Sequence, residues 1–189
     1  MRCPCLLAAL VTFLAAATVQ AKNPIVVMET SYGPIKIELF EDKAPNTVKN
    51  FLTYVDDKHY DGTIFHRVIS NFMIQGGGFT PGMTERKTRG SIKNESANGL
   101  QNQRGTIAMA QKAKPPKFNS DPESATDQFF INVVDNPHLD QNRFCVFARV
   151  IDGIEVVDKI RQVSTTTVKE FSDLPVEDIV IKSVRREKQ

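Results

Sequence analysis

Ile35, Ile37 and Leu39 alternate with Lys36 and Glu38, the period of two that puts successive side chains on opposite faces of a strand. An apolar run from Ile25 to Met28 precedes them across Ser31-Tyr32-Gly33-Pro34, so the chain is predicted to open on a β-hairpin. Further strand-length runs are Phe65–Ile69, Phe72–Gln75, Thr106–Ala110, Phe129–Val134, Phe144–Val150 and Ile179–Val184. Two segments change period. Val48, Phe51, Leu52 and Val55 fall on one face of a helix with Pro45 suited to its first turn, and Val156, Val157, Ile160 and Val163 repeat the device after Asp152-Gly153. Some eight strands and two separated helices predict a mainly β fold, a closed eight-stranded antiparallel β-barrel capped by two α-helices. Closure removes edge strands, and the helices cover the apolar mouths. An open α+β sandwich is the alternative.

The first residues read differently. Arg2 precedes an apolar stretch from Leu6 to Val19, which ends in Val19-Gln20-Ala21 with small residues where a signal peptidase requires them. Residues 1–21 are therefore expected to be a cleavable signal peptide, and residues 22–189, undivided by any repeat or Gly/Ser linker, a single domain. As a helix the apolar stretch would rise roughly 21 Å, short of the ~30 Å hydrocarbon core, so a retained membrane anchor is the lesser alternative. Cys3 and Cys5 precede that stretch, where a lipid-modified cysteine would follow it, and both leave with the leader. Cys145 then remains alone in Phe144-Cys145-Val146-Phe147, read as a small buried hydrophobe, and no internal disulfide is possible.

Composition narrows the function. Hydrophobic residues are 41% and charged residues 24%, ordinary globular usage that excludes collagen-like and wholly disordered chains. A net charge of +2 gives no electrostatic case for nucleic-acid binding. Asn94-Glu95-Ser96 is a glycosylation sequon, meaningful only in a eukaryotic secretory route. The polar segment from Gln111 to Asp127 reads as an exposed, mobile loop whose Lys112, Lys114 and Lys117 are solvated or, alternatively, meet acidic substrates.

Common catalytic spacings are missing: no G-x-S-x-G elbow, no phosphate loop, no H-E-x-x-H, and no metal-ligand spacing among His59, His66 and His138. Gly76-Gly77-Gly78 lacks the sequel of a phosphate cradle and is read as a turn or close-packing element. The informative stretch is Phe65-His66-Arg67-Val68-Ile69-Ser70-Asn71-Phe72-Met73-Ile74-Gln75-Gly76-Gly77, where one strand pair presents Arg, Phe, Met and Gln together. On spacing alone, Phe72 and Met73 as core, Arg67 as a surface ion pair and Gln75 as a turn residue is an adequate account.

This stretch resembles the signature of the cyclophilin-type peptidyl-prolyl cis/trans isomerases. The match continues through Gly105-Thr106-Ile107-Ala108-Met109-Ala110, Gln128-Phe129-Phe130-Ile131-Asn132 and Phe147-Ala148-Arg149-Val150-Ile151-Asp152-Gly153, in order. With the leader, the chain is most similar to exported bacterial members, which implies a periplasmic location, with secretion or a eukaryotic secretory pathway as the alternative. The resemblance implies an eight-stranded barrel with its groove on the outer wall, acting on X-Pro bonds of polypeptide substrates without a cofactor or metal. It implies Arg67 as the catalytic guanidinium, Gln75 as its hydrogen-bonding neighbour, and Phe72, Met73, Phe130 and Leu139 as the apolar pocket for the proline ring. Ala110, Gln111 and Gln128 would line the groove beside the substrate backbone. Where many eukaryotic members carry a pocket-edge Trp this chain has His138, which implies weak cyclosporin binding. A second pocket position falls on Phe144. A monomer is expected. The competing function is a non-catalytic peptide-binding module on the same barrel.

Overall fold

The computed structural model describes residues 22–114 and 119–188; the expected signal peptide and Lys117 lie outside the described residues. Eight strands form the wall: β1 (Ile25–Thr30), β2 (Gly33–Leu39), β3 (Thr63–Ile69), β4 (Met73–Gly76), β5 (Thr106–Met109), β6 (Phe129–Asn132), β7 (Val146–Asp152) and β8 (Val180–Arg186). They close in the order β1-β8-β3-β4-β6-β5-β7-β2, antiparallel at every junction. The barrel is therefore the arrangement adopted, and the open sandwich is not.

Alternation supplies the interior. Val26 and Met28 from β1, Ile35, Ile37 and Leu39 from β2, and Ile181 and Val184 from β8 are fully buried in one cluster. Helix α1 (Pro45–Asp56) seals this core with Val48, Phe51, Leu52, Tyr54 and Val55. The Phe51 ring lies 5.1 Å from Tyr60, 5.8 Å from Phe129 and 5.2 Å from Phe147. Burying a side chain of that size contributes about 1.5–3 kcal/mol. Helix α3 (Ile154–Ile160) buries Val156, Val157 and Ile160, the second face that the sequence predicts. Gly153 starts it at φ +83°, and a Cβ there would lie 2.4 Å from the Pro34 carbonyl oxygen, so only glycine lets the chain turn this close to β2.

The N-terminus of α1 has no side-chain cap from Ala44. Its orphan donors are satisfied from far along the chain: Glu95 accepts from the backbone N–H of Asn46 at 3.1 Å and of Thr47 at 2.8 Å, and from the Thr47 hydroxyl at 2.8 Å. Burial opposes the charge on Glu95, but these donors outweigh it and leave the carboxyl below its ordinary value. The neighbouring Asn94 amide donates to the Pro122 and Arg143 carbonyls at 3.2 and 2.9 Å, so a glycan on that nitrogen would break bonds that hold two loops. Cys145 is buried, and burial pushes its thiol upward in pKa, the setting of an inert small hydrophobe.

Three features depart from the sequence expectation. A third, five-residue helix, α2 (Pro137–Gln141), lies on the outside of the wall. The segment read as a mobile loop is tied down in its described part: Ala113–Lys114 pairs with Asn119–Ser120, the Lys112 N–H donates to the Ser124 hydroxyl at 2.8 Å, and Asp127 is fully buried. Finally, Thr165–Val168 and Phe171–Pro175 pair as an antiparallel ribbon beside β3, and Phe79–Thr80 pairs with Thr84–Glu85.

Candidate functional site

A bulge creates the site. Strict alternation along β3 would send Arg67 inward with Phe65, but the register slips by one residue between them, so that Phe65 opposes Gly76 while Arg67 opposes Gln75. The extra residue, His66, reverses the parity. Val68 then enters the core, while Arg67 and Ile69 face outward. Across the wall, Arg67 on β3 stands opposite Gln75 on β4, Gln75 opposite Phe130 on β6, and Phe130 opposite Ala108 on β5. Facing residues on neighbouring strands lie about 5 Å apart, so this is one continuous row of contacts.

Beside the row is a second, external apolar cluster of Met73, Ala108, Phe130, Leu139 and Val146, packed by Ile69, Phe72, Leu100, Ala110 and Phe144. It encloses a pocket of about 110 Å³ lined by Arg67, Phe72, Met73, Gln75, Ala110, Gln111, Phe130, Leu139 and Phe144. Sites for drug-sized ligands run to roughly 300–1,000 Å³, so this one suits a single small ring. Phe144 meets Phe130 edge-on at 5.7 Å, and His138 stacks on the outer face of Phe72 at 5.4 Å.

Three buried asparagines hold the pocket walls. Asn136 donates from Nδ2 to the Phe72 carbonyl at 2.9 Å and to Asn132 Oδ1 at 2.8 Å; Asn132 donates to Asn102 Oδ1 at 3.1 Å. Asn102 in turn donates to Asp140 at 2.8 Å and to the Phe144 carbonyl at 3.2 Å. The turn bearing Phe72, the helix bearing Leu139 and the loop bearing Phe144 are thus tied to one network.

On the other side of Arg67 the groove widens to about 490 Å³, between Gln111, Gln128, Phe79 and Phe171. Gln75 Nε2 donates to Gln128 Oε1 at 2.9 Å, which fixes both amides. The glycine run makes room for them. A Cβ on Gly78 would lie 2.6 Å from Gln128 Cγ, and one on Gly77, at φ +97°, would lie 2.9 Å from the Phe129 ring. Gly78→Ala is expected to push Gln128 off Gln75 and lower kcat/KM roughly tenfold, with about 1 kcal/mol or less lost in stability. Steady-state kinetics beside urea titration would separate the two effects.

Arg67 Nε lies 3.7 Å from Asp173 Oδ2 on the ribbon, with side chains 40% and 39% exposed. So exposed a pair contributes about 0–1 kcal/mol and leaves the guanidinium's other donors open to the groove. His66 lies behind it, buried, its ring 4.7 Å from Phe79 and its Nδ1 without a protein partner. Burial, reinforced by the Arg67 charge and opposed by the Ile64 carbonyl, depresses its pKa from 6.5 to about 4. Because the unfolded chain takes up the proton first, this group's contribution is full above about pH 6.5 and lost as the pH falls towards 4. Stability from denaturant titration is expected to drop by about 2 kcal/mol between pH 7 and pH 5, a drop missing in His66→Gln.

Of the residues picked out by sequence, Arg67, Gln75, Phe72, Met73, Ala110, Gln111, Phe130, Leu139 and Phe144 meet at the small pocket. Gln128 joins them through Gln75, and His138 through Phe72. Missed were Asp173, the ribbon that carries it, and the three asparagines. Of these, only Asn132 falls within a motif of the family resemblance, Gln128-Phe129-Phe130-Ile131-Asn132, and the resemblance implies no role for it. The bland account of Arg67 keeps its ion pair but not its isolation. Among the described residues no group of three or more His, Cys, Asp and Glu could hold a metal ion, and no helix is long and apolar enough to cross a membrane.

A closed antiparallel barrel with a guanidinium beside a ring-sized pocket on its outer wall is the architecture that the sequence resemblance implies, that of a peptidyl-prolyl isomerase of cyclophilin type. The family model "Cyclophilin type peptidyl-prolyl cis-trans isomerase/CLD" matches residues 25–186. Peptidyl-prolyl cis-trans isomerase B of Escherichia coli (strain K12) is 52% identical over 167 residues, covering 85% of this chain and 98% of its own length. Peptidyl-prolyl cis-trans isomerase A of Dickeya dadantii is 45% identical over 95% of this chain and 96% of its own. A cyclophilin type peptidyl-prolyl cis-trans isomerase of Cryptosporidium parvum, solved in the presence of the dipeptide Ala-Pro, superposes with a TM-score of 0.72 at 28% identity, over 87% of this chain and 99% of that one. The chain belongs to the cyclophilin family of peptidyl-prolyl cis-trans isomerases.

Proposed function

We propose that Arg67 catalyses isomerisation by donating to the prolyl nitrogen while the pocket of Phe72, Met73, Phe130 and Leu139 holds the proline ring. The observation that carries this reading is the guanidinium on the rim of a ring-sized apolar pocket. Amide resonance sets a barrier of about 18–20 kcal/mol, and an unaided X-Pro bond takes tens to hundreds of seconds to turn. No bond is cut, so no nucleophile is needed. As the amide twists, the nitrogen lone pair leaves conjugation and becomes an acceptor, so a donor fixed at that point favours the twisted form over both planar ones. Ala110, Gln111 and Gln128 line the substrate backbone's path, and Gln75, which stands opposite Arg67 but donates to Gln128 rather than bonding to the guanidinium, holds Gln128 in place. The pocket edge at His138 lacks an indole, and weak cyclosporin binding is expected.

The physiological role that fits the leader-like pattern of residues 1–21 is folding of exported proteins in the periplasm. Intact-mass analysis of exported protein should give a chain starting at Lys22; retention of Met1 would sink the cleaved-signal reading. The proposed chemistry is tested by cis-to-trans conversion of a short X-Pro peptide. Strong acceleration is expected. Binding in the groove without acceleration would instead make this a peptide-binding module.

A further inference from the structure

The catalytic groove does not end at Phe79 and Phe171. These two rings meet edge-on at 5.5 Å, and both also line a second groove of about 570 Å³ between the Phe79–Glu85 hairpin and the Thr165–Pro175 ribbon. Its apolar lining continues through Met83, Leu174 and Pro175. Val168, 44% exposed, and Val176, 63% exposed, also line it, and they are two of only four large hydrophobic side chains so exposed among the described residues. Glu85, Glu170 and Asp178 surround this apolar surface against one base, Lys169, a local charge of −2.

We infer that this second groove is a distal subsite for the polypeptide substrate, which takes an apolar side chain next to a Lys or Arg on one side of the X-Pro bond. The inference rests on the X-Pro bond lying at Arg67. Continuity selects the occupant: Phe79, Glu85, Glu170 and Phe171 belong to both grooves, so a chain lying along the first is led into the second. Charge selects its composition, since the acidic rim favours a cation whose neighbour buries apolar surface on Leu174 and Val176. At about 3.3 Å per extended residue, a tetrapeptide is too short to fill both grooves, while a peptide of ten or more residues has the reach. Such remote contacts are the same in the planar and twisted forms and therefore lower KM without changing kcat.

The test compares a tetrapeptide X-Pro substrate with longer peptides that carry Leu-Lys pairs on the amino side, on the carboxyl side, or Gly-Ser in both places. KM is expected to be about tenfold lower for one of the two Leu-Lys peptides than for the Gly-Ser control. Val168→Asp/Val176→Asp is expected to abolish that gain and leave tetrapeptide kinetics unchanged. Val168→Thr/Val176→Thr, which keeps the shape of both side chains, guards against misfolding and should weaken the gain. Tetrapeptide turnover without any gain, or a gain retained in both double variants, overturns the distal subsite alone. Absence of tetrapeptide turnover overturns the active-site reading and the subsite with it. Dimerisation of the parent that the Asp variant abolishes, with no peptide gain, would assign the face to a second copy of this chain.

Discussion

Arg67→Ala is expected to lower kcat/KM for a short X-Pro peptide by about 10²- to 10³-fold while leaving the unfolding free energy within about 1 kcal/mol of the parent. The magnitude is that of removing one fixed donor aimed at charge that develops only in the transition state. The indifference of stability follows from position: the side chain is 40% exposed, and its ion pair with Asp173 is equally exposed. Arg67→Lys separates charge from geometry. Lysine keeps the cation but replaces a rigid planar fork with a single hydrated ammonium on a flexible stem. Activity well below the parent is expected, and a folded lysine variant with near-parent activity would refute the role of the fork.

The second large effect falls on a residue that never touches the substrate. Asn136→Ala removes the donor to Phe72 and leaves Asn132 Oδ1 buried without it. One buried group left unsatisfied costs about 1–3 kcal/mol, and the lost amide volume adds to it, so a total of about 2–4 kcal/mol is expected in denaturant titration. Function should fail differently from Arg67→Ala. With the Phe72 turn released, the ring pocket loosens, and KM is expected to rise about tenfold while kcat falls less. Asn136→Asp gives a sharper comparison at the same shape. Backbone carbonyls only accept, so the side-chain NH₂ must face Phe72 and Val134, and a carboxylate there meets acceptors on every side. No rescue is expected from it.

The sequence made the barrel readable because each of its eight wall strands shows as a strand-length run, and the two core-sealing helices repeat an apolar face over about two turns or more. What stayed hidden is local or non-local in a specific way. Helix α2 is too short to show a period. The Thr165–Val168 strand is exposed along its whole length and carries no buried face to betray it. One extra residue in β3 leaves no trace in composition, yet it decides which side of the wall Arg67 occupies. Spacing alone reads Arg67 as a surface ion pair, and only the family resemblance implies a catalytic role for it. Asp173 reaches the site only through tertiary packing of the ribbon, at a left-handed φ of 59° that Asp tolerates better than most residues. The asparagines, Asn132 on a strand and Asn102 and Asn136 in connecting segments, share no spacing in sequence, so nothing joins them until the network is seen.

Barrel closure has a consequence for the company this protein keeps. Under the proposed role in folding, its clients would be chains whose own strands have not yet found partners, and such chains add readily to any open row of N–H and C=O groups. Each of the eight wall strands here is paired on both sides, and outside the wall the strand segments are ribbons of two to five residues. A client can therefore be held by its side chains and turned at one bond without being offered a template for sheet growth. A catalyst with that role would work among misfolding-prone chains without seeding their aggregation.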